Sequence, residues 1–510
     1  MSKAAKPPRS EAAGGFASGE PNEGGAYRLW VLAAVVIGAL VRLAGLDSEG
    51  LWLDEVMPVT RALDHGLVDL WRAVPADKPP LFFYEVWPLA RLTLDDPWLR
   101  LPAFVFGAAL VWGIALLAGA LFPDRPFVAP VSALLCAFSP LAAKLSCELL
   151  TYSQAAALVT GGYIAGLAWL QTGRRGWLAA LFAAAALALW TSYQSGLALV
   201  PLGTGALVAA ADRSLRSRSL ALAAAVLAAA LTTIPLWPRL LGSGVLESAW
   251  GPGPFFTETL PLALGVTGAG FDYTPANPTW LALWVLAAVG GVAHARAAGD
   301  ILRRAVLPAW LLGGLGLLFA SAYLRDHWIA PRYLLFFAPP LLLMAAAGIE
   351  RLCQRLAGRR GAATAGALCA ALTGLLVLAL LPTLAASRRS HPDYRGLARD
   401  LSGRAQPGDL VLFQHRFDQA AYEYYRNFRF RDAPLSGALQ WRGPDRLGPA
   451  VARRLGDAKR VWVAETVYAS FPIRPEIARF FRPDPAARTG PIPVRLEEAQ
   501  AVRAAVLPGG

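Results

Sequence analysis

Apolar runs of about 17 to 24 residues recur along most of this chain, separated by short polar joints. A run of that length matches the roughly 30 Å of a bilayer's hydrocarbon core when it is helical. Such runs occupy roughly 29–46, 99–122, 126–143, 150–170, 177–192, 193–210, 219–238, 279–295, 305–323, 333–349 and 362–385. This predicts a mainly α, polytopic membrane protein of about eleven transmembrane helices. The pair over 177–210 is closely joined. The apolar stretch 80–94 is short and interrupted, and reads as an interfacial helix. After residue 385 the pattern changes. The segment 391–414 reads as a helix, a turn at Pro407-Gly408 and a strand; 417–428 reads as a helix and 458–466 as a strand. That alternation predicts a small α/β domain over 386–510, after a transmembrane domain over 28–385. Residues 1–27, rich in Gly, Ala, Ser and Pro, read as a disordered tail without the apolar centre of a signal peptide.

Composition agrees with a lipid-solvated chain. Of 510 residues, 55% are hydrophobic and 16% charged, against about 25% charged in a soluble protein. The net charge of +13 falls mainly in short loops, which fits membrane orientation and gives no support for a nucleic-acid partner. One alternate set of loops carries Arg125, Arg174, Arg175, Arg213, Arg216, Arg218, Arg296, Arg303, Arg304, Arg351, Arg355, Arg359 and Arg360. By the positive-inside rule these face the cytoplasm. The loop after the first span, and everything after 386, is then extracytoplasmic. The four cysteines have neither disulfide nor zinc spacing, and no GxGxxG or P-loop is present.

Candidate chemistry lies on the outer side. The first span runs into SEGLWLDEV, residues 48–56. Successive helical side chains diverge by about 100°, so Asp54 and Glu55 cannot face one point. An acid among Trp52, Leu53 and Val56 is partly desolvated and becomes a better base; equally, acids suit a helix N-terminus. Lys78 precedes Pro79-Pro80 at the mouth of a helix, a ready phosphate site, or a lysine that snorkels. Arg325 and Arg332 break the charge rule in an outer loop, and with His327 are candidates for phosphate contact. Arg100 either faces the site or anchors the interface. His391, Asp393, Tyr394 and His415 read as scattered, structural residues that fit no metal template. Trp237, Trp250 and Trp280 suit an aromatic belt, and the Gly- and Pro-rich 243–260 reads as an external loop.

In order along the chain stand one membrane helix, LWLDEV, DKPPLFFYEVW and WLRLPAFVFGAAL. This order resembles the GT-C type glycosyltransferases, in particular the protein O-mannosyltransferase-like and lipid A aminoarabinose transferase-like families, over about residues 28–350. LSCELLTYSQAAAL resembles the family's SQEARxY stretch, keeping Glu148 and Tyr152 but placing Leu150 where an arginine is common. HWIAPRYLLFFAPP resembles its late PRYLLP helix. The resemblance implies transfer of a sugar from a polyprenyl-phosphate donor, with inversion, to a glycan, lipid or protein acceptor outside the bacterial cell inner membrane. It makes Asp54 the base on the acceptor hydroxyl, with Glu55 orienting the acceptor or Asp54. Lys78, Tyr84, Arg100, Glu148, Tyr152, His327, Arg332 and Tyr333 would bind substrate. A divalent cation is possible but not favoured, and no other cofactor is expected. The competing class is a transporter, which generally binds at the midplane through ionisable residues within spans.

Overall fold

A computed structural model describes residues 23–241, 254–270, 277–297, 301–325, 329–388, 391, 393–413, 416–430, 437–440, 460–464, 482–483 and 494–498. Most of the tail read as disordered, together with His327 and His415, lies outside these residues. The chain is mainly helical. The expected apolar runs lie on helical segments, the first on Glu23–Leu43 and the last on Ala362–Ser387. Among the described residues six helical stretches are long and apolar enough to cross a membrane: Leu101–Leu121, Arg216–Arg239, Thr279–Arg296, Arg304–Leu324, Pro331–Arg360 and Ala362–Ser387. The 177–210 pair is two helices, Arg175–Thr191 and Ser195–Ala209, broken at an extended Ser192. The stretch 80–94 forms Leu81–Leu92, about 18 Å long at 1.5 Å per residue and too short to span.

The run 126–143 is not continuous. Val128–Phe138 stops at Ser139, and Pro140–Leu145 starts again. A proline disfavours the helical conformation in the residue before it, and Ser139 then caps the new turn by accepting from the Ala142 amide at 3.4 Å. The break frees carbonyls at the end of the first piece. The buried Arg42 guanidinium donates to two of them, Cys136 and Ala137, each at 3.3 Å, and to Ser146 Oγ at 3.1 Å. A charge inside an apolar bundle is thereby surrounded by acceptors. Centrally, Ala338–Ala357 crosses Thr279–Ala297 at backbone contact. A Cβ on Gly290 would lie 1.9 Å from the Met344 carbonyl, and one on Gly348 2.0 Å from that of Leu286. Only glycine permits this approach.

One helix was not expected. Leu260–Ala269, after a wide turn over Phe255–Thr259, follows the stretch read as a loop; ten residues are too few to register as a span. Residues 242–253 of that stretch lie outside the described residues.

After the last span come Tyr394–Arg404, β1 (Leu410–Phe413), Arg416–Phe428, β2 (Gly437–Gln440), β3 (Arg460–Ala464), β4 (Arg482–Pro483) and β5 (Val494–Glu498). The sheet order is β2-β1-β3-β5-β4. β1 is parallel to β2 and β3, while β5 is antiparallel to β3 and β4. Gly408 takes φ 94° in the turn before β1, a conformation glycine adopts freely. Leu397, Leu401, Val411, Phe413, Tyr422 and Tyr425 share one apolar cluster with Val56, Val59, Phe82, Val86 and Leu99. The C-terminal elements thus pack on the helices of the first loop.

Candidate active site at the first loop

The helix Leu53–Asp64 starts after Trp52, whose backbone is extended at φ −103°, ψ 178°. Asp54 and Glu55 are the second and third helical residues, and they diverge as expected. Glu55 is fully buried. Arg100 Nε donates to its Oε1 at 2.7 Å and Nη2 to its Oε2 at 2.6 Å. The Leu149 amide adds a bond to Oε1 at 2.6 Å, and the Trp52 amide one to Oε2 at 3.3 Å. Arg100 spends its remaining donors on the carbonyls of Leu46, Glu49 and Gly50. This saturated ion pair leaves no donor or acceptor over. Glu55 and Arg100 thus form a clamp on the first loop; of the two roles expected for Arg100, facing the site or anchoring, these bonds are those of an anchor, and Glu55, expected to orient the acceptor or Asp54, is paired with it.

Asp54 faces the other way. Its Oδ2 lies 2.7 Å from Arg332 Nη1 and its Oδ1 3.9 Å from Lys78 Nζ, with all three side chains partly exposed. Arg332 comes from the 3₁₀ stretch Pro331–Phe337. Its guanidinium carbon stands 5.8 Å from the Trp52 ring centre and 5.7 Å from that of Tyr152, and its Nε is buried without a partner among the described residues. Tyr333 stands with its ring 6.0 Å from that of Tyr152. Residues separated by more than 250 positions thus meet: Asp54, Lys78, Tyr152, Arg332 and Tyr333, with one acid against two cations. Tyr84 packs instead against the apolar group of Leu70, Val74 and Phe83. Further along its helix, Glu85 accepts from Gln154 Nε2 at 2.7 Å, and burial pushes its carboxyl up.

Glu148 lies in a second cluster. Lys144 Nζ is 3.0 Å from both Glu148 Oε1 and Glu49 Oε2. His391 Nε2 is 2.9 Å from Glu148 Oε1, and the His391 amide donates to Glu49 Oε1 at 3.0 Å. Burial alone would raise the Glu148 carboxyl, but Lys144 and His391 hold it well below the usual carboxylate range. Glu148 is therefore committed to protein partners. The His391 ring stacks on Trp52, with centres 4.1 Å apart and planes at 13°. The sequence reading had set His391 aside as structural. Nothing local signals this contact, because its partners lie 243 and 342 positions earlier. Among the described residues no three His, Cys, Asp or Glu side chains gather as metal ligands.

Residues 77–237 match the family of dolichyl-phosphate-mannose-protein mannosyltransferases. No curated protein matches the chain in sequence. In fold it is similar to ArnT from Cupriavidus metallidurans in the apo state, with a TM-score of 0.61 at 16% identity over 93% of this chain and 99% of that one. The same enzyme bound to undecaprenyl phosphate gives 0.58 at 16% identity over 92% and 98%. Over 93% of its length, then, the chain has the fold of ArnT, and residues 77–237 carry the sequence pattern of the mannosyltransferase family.

Proposed function

We propose that this chain is a glycosyltransferase that moves a sugar from polyprenyl phosphate to an acceptor hydroxyl on the outer side of the bacterial inner membrane. The carrying observation is Asp54 held between Arg332 and Lys78 at the start of the first-loop helix. Both cations are placed for the phosphate of the donor, where negative charge builds as the glycosidic bond breaks. As that phosphate arrives it draws Arg332 and Lys78 from Asp54. The freed carboxylate takes the proton of the acceptor hydroxyl, whose oxygen attacks the anomeric carbon. The carbon–oxygen bond to phosphate breaks, its electron pair leaves with polyprenyl phosphate, and the anomeric configuration inverts. Tyr152, its ring centre 5.7 Å from the guanidinium carbon, steadies Arg332, and Tyr333 stands beside Tyr152.

In this reading all eleven apolar helices cross the bilayer, and residues 386–510 form an extracytoplasmic domain that covers the first loop. The uneven loop charge supports that orientation, and the polyprenyl tail enters sideways from the bilayer. No divalent ion is needed, since two fixed cations already face the phosphate. Clustering of the charges at helix ends, rather than at mid-span, favours transfer over transport. The test compares glycolipids and glycoproteins, by mass spectrometry, in cells carrying the wild-type chain and Asp54→Asn. One sugar decoration disappears with the variant. An unchanged profile would falsify the assignment of Asp54 as base.

A further inference from the structure

The site lies against the beginning of the C-terminal region. Trp52 caps the helix that carries Asp54, and its ring lies 5.8 Å from the Arg332 guanidinium carbon, within reach of a cation–π attraction. The same ring is stacked by His391 at 4.1 Å and 13°. The Trp52 indole N–H is buried and has no hydrogen-bond partner among the described residues. No hydrogen bond from the indole therefore fixes this ring, and packing has to set its plane. His391, by contrast, is held at two points. Its amide is bound to Glu49 and its ring to Glu148, and Lys144 ties those two acids together.

We infer that His391 is a positioning residue for the phosphate site: it acts through Trp52, whose ring it holds in the orientation that steadies Arg332. Asp54, Arg332 and Lys78 come from membrane helices and the loops between them, so the site is incomplete until the segment after the last span has docked. The C-terminal region thereby makes donor binding conditional on its own docking. This inference rests on the reading of Arg332 as a phosphate ligand.

Two substitutions separate stacking from a merely structural bond. His391→Phe keeps a flat ring on Trp52 and loses the bond to Glu148; His391→Gln keeps a polar partner for Glu148 and loses the stack. The probe is undecaprenyl phosphate, titrated against the full-length chain in lipid nanodiscs, with thermal unfolding measured in parallel. An aromatic pair is worth about 0.5–1.5 kcal/mol. On that scale His391→Gln weakens binding about fivefold, as does His391→Ala, while His391→Phe stays within about twofold of wild type. If Gln binds as wild type and Phe binds as weakly as Ala, the histidine matters only as a hydrogen-bond partner and the inference fails. Equal affinity in all three variants overturns it too. Arg332→Ala separates the two readings. If it abolishes binding while every His391 variant binds normally, the donor site stands and only the positioning role falls. If the wild-type chain binds no polyprenyl phosphate, both fall together.

Discussion

At the scale of single residues, the two acids of the first loop have opposite surroundings, and so opposite consequences when changed. If Asp54 is the base and Arg332 binds phosphate, Asp54→Asn removes both the base and the carboxylate that holds Arg332. Transfer should fall by about 10²–10⁴-fold, the usual share of general base catalysis. Binding of undecaprenyl phosphate should become tighter, a combination that single-turnover and equilibrium assays can resolve. Glu55→Gln leaves Arg100 charged and buried without its counter-ion. Breaking such a pair costs about 3–5 kcal/mol, seen as a lower unfolding temperature and reduced yield rather than as a selective loss of turnover. Glu148 adds a pH dependence. Its carboxyl is held below the usual range, so its stabilising effect is fully present above the pKa of the unfolded chain. The effect is lost as pH falls through the lowered, folded value. Glu148→Gln should flatten the acid limb of a plot of unfolding temperature against pH, and an unaltered limb would count against the network. Of this site the divergence of Asp54 from Glu55 was legible, because it follows from 100° per residue. Which acid meets Lys78 and Arg332 was not, because Arg100 and the Leu149 amide reach Glu55 from 45 and 94 positions away.

At the scale of elements, the first loop is held by parts distant in sequence. The Leu51 amide donates to the Tyr425 hydroxyl, which donates to Asp96 Oδ2 at 2.6 Å. Asp96 is buried, and its other oxygen has no partner among the described residues. Arg395 bridges Asp47 and Asp96. Tyr425→Phe therefore strands a buried amide and leaves Asp96 Oδ2 with Arg395 alone, at about 1–3 kcal/mol. The expected result is a lower unfolding temperature of the full chain, with little change if the first loop is already loose. Helices Tyr394–Arg404 and Arg416–Phe428 and strands β1 and β3 were readable from periodicity and from the Pro407-Gly408 turn. β2, β4 and β5 were not. β4 has two residues, too few for any alternation, and a short strand is defined by the neighbour it pairs with rather than by its own pattern. The break at Ser139-Pro140 was carried by a local signal, a serine before proline, which the count of apolar residues over 126–143 passed over.

At the scale of the whole molecule, a bundle of apolar helices carries a cap of mixed α/β elements packed on its first loop. If the charge asymmetry sets the orientation, a cysteine at Ser48 should react with a membrane-impermeant maleimide added outside intact spheroplasts, in a background with the four native cysteines replaced. A cysteine at Arg174 should react only after lysis. Reversed labelling would place Asp54 on the wrong side for any lipid-linked donor outside. If Lys78 and Arg332 supply the positive charge at the donor phosphate, chelators should leave transfer unchanged; a loss restored by a divalent ion would overturn that part of the mechanism.

The sequence by itself determined that this chain lives in a membrane, where its helices run, and which short stretches between them carry unusual charge. Those properties follow from local periodicity and from the cost of placing charge in lipid, which act on each segment separately. Only the tertiary structure decided that Asp54 meets Lys78 and Arg332, that Glu55 is locked to Arg100, and that His391 reaches back to Trp52. Such contacts join residues between 24 and 339 positions apart. They are chosen by packing of the whole bundle against its cap, which no window along the chain contains.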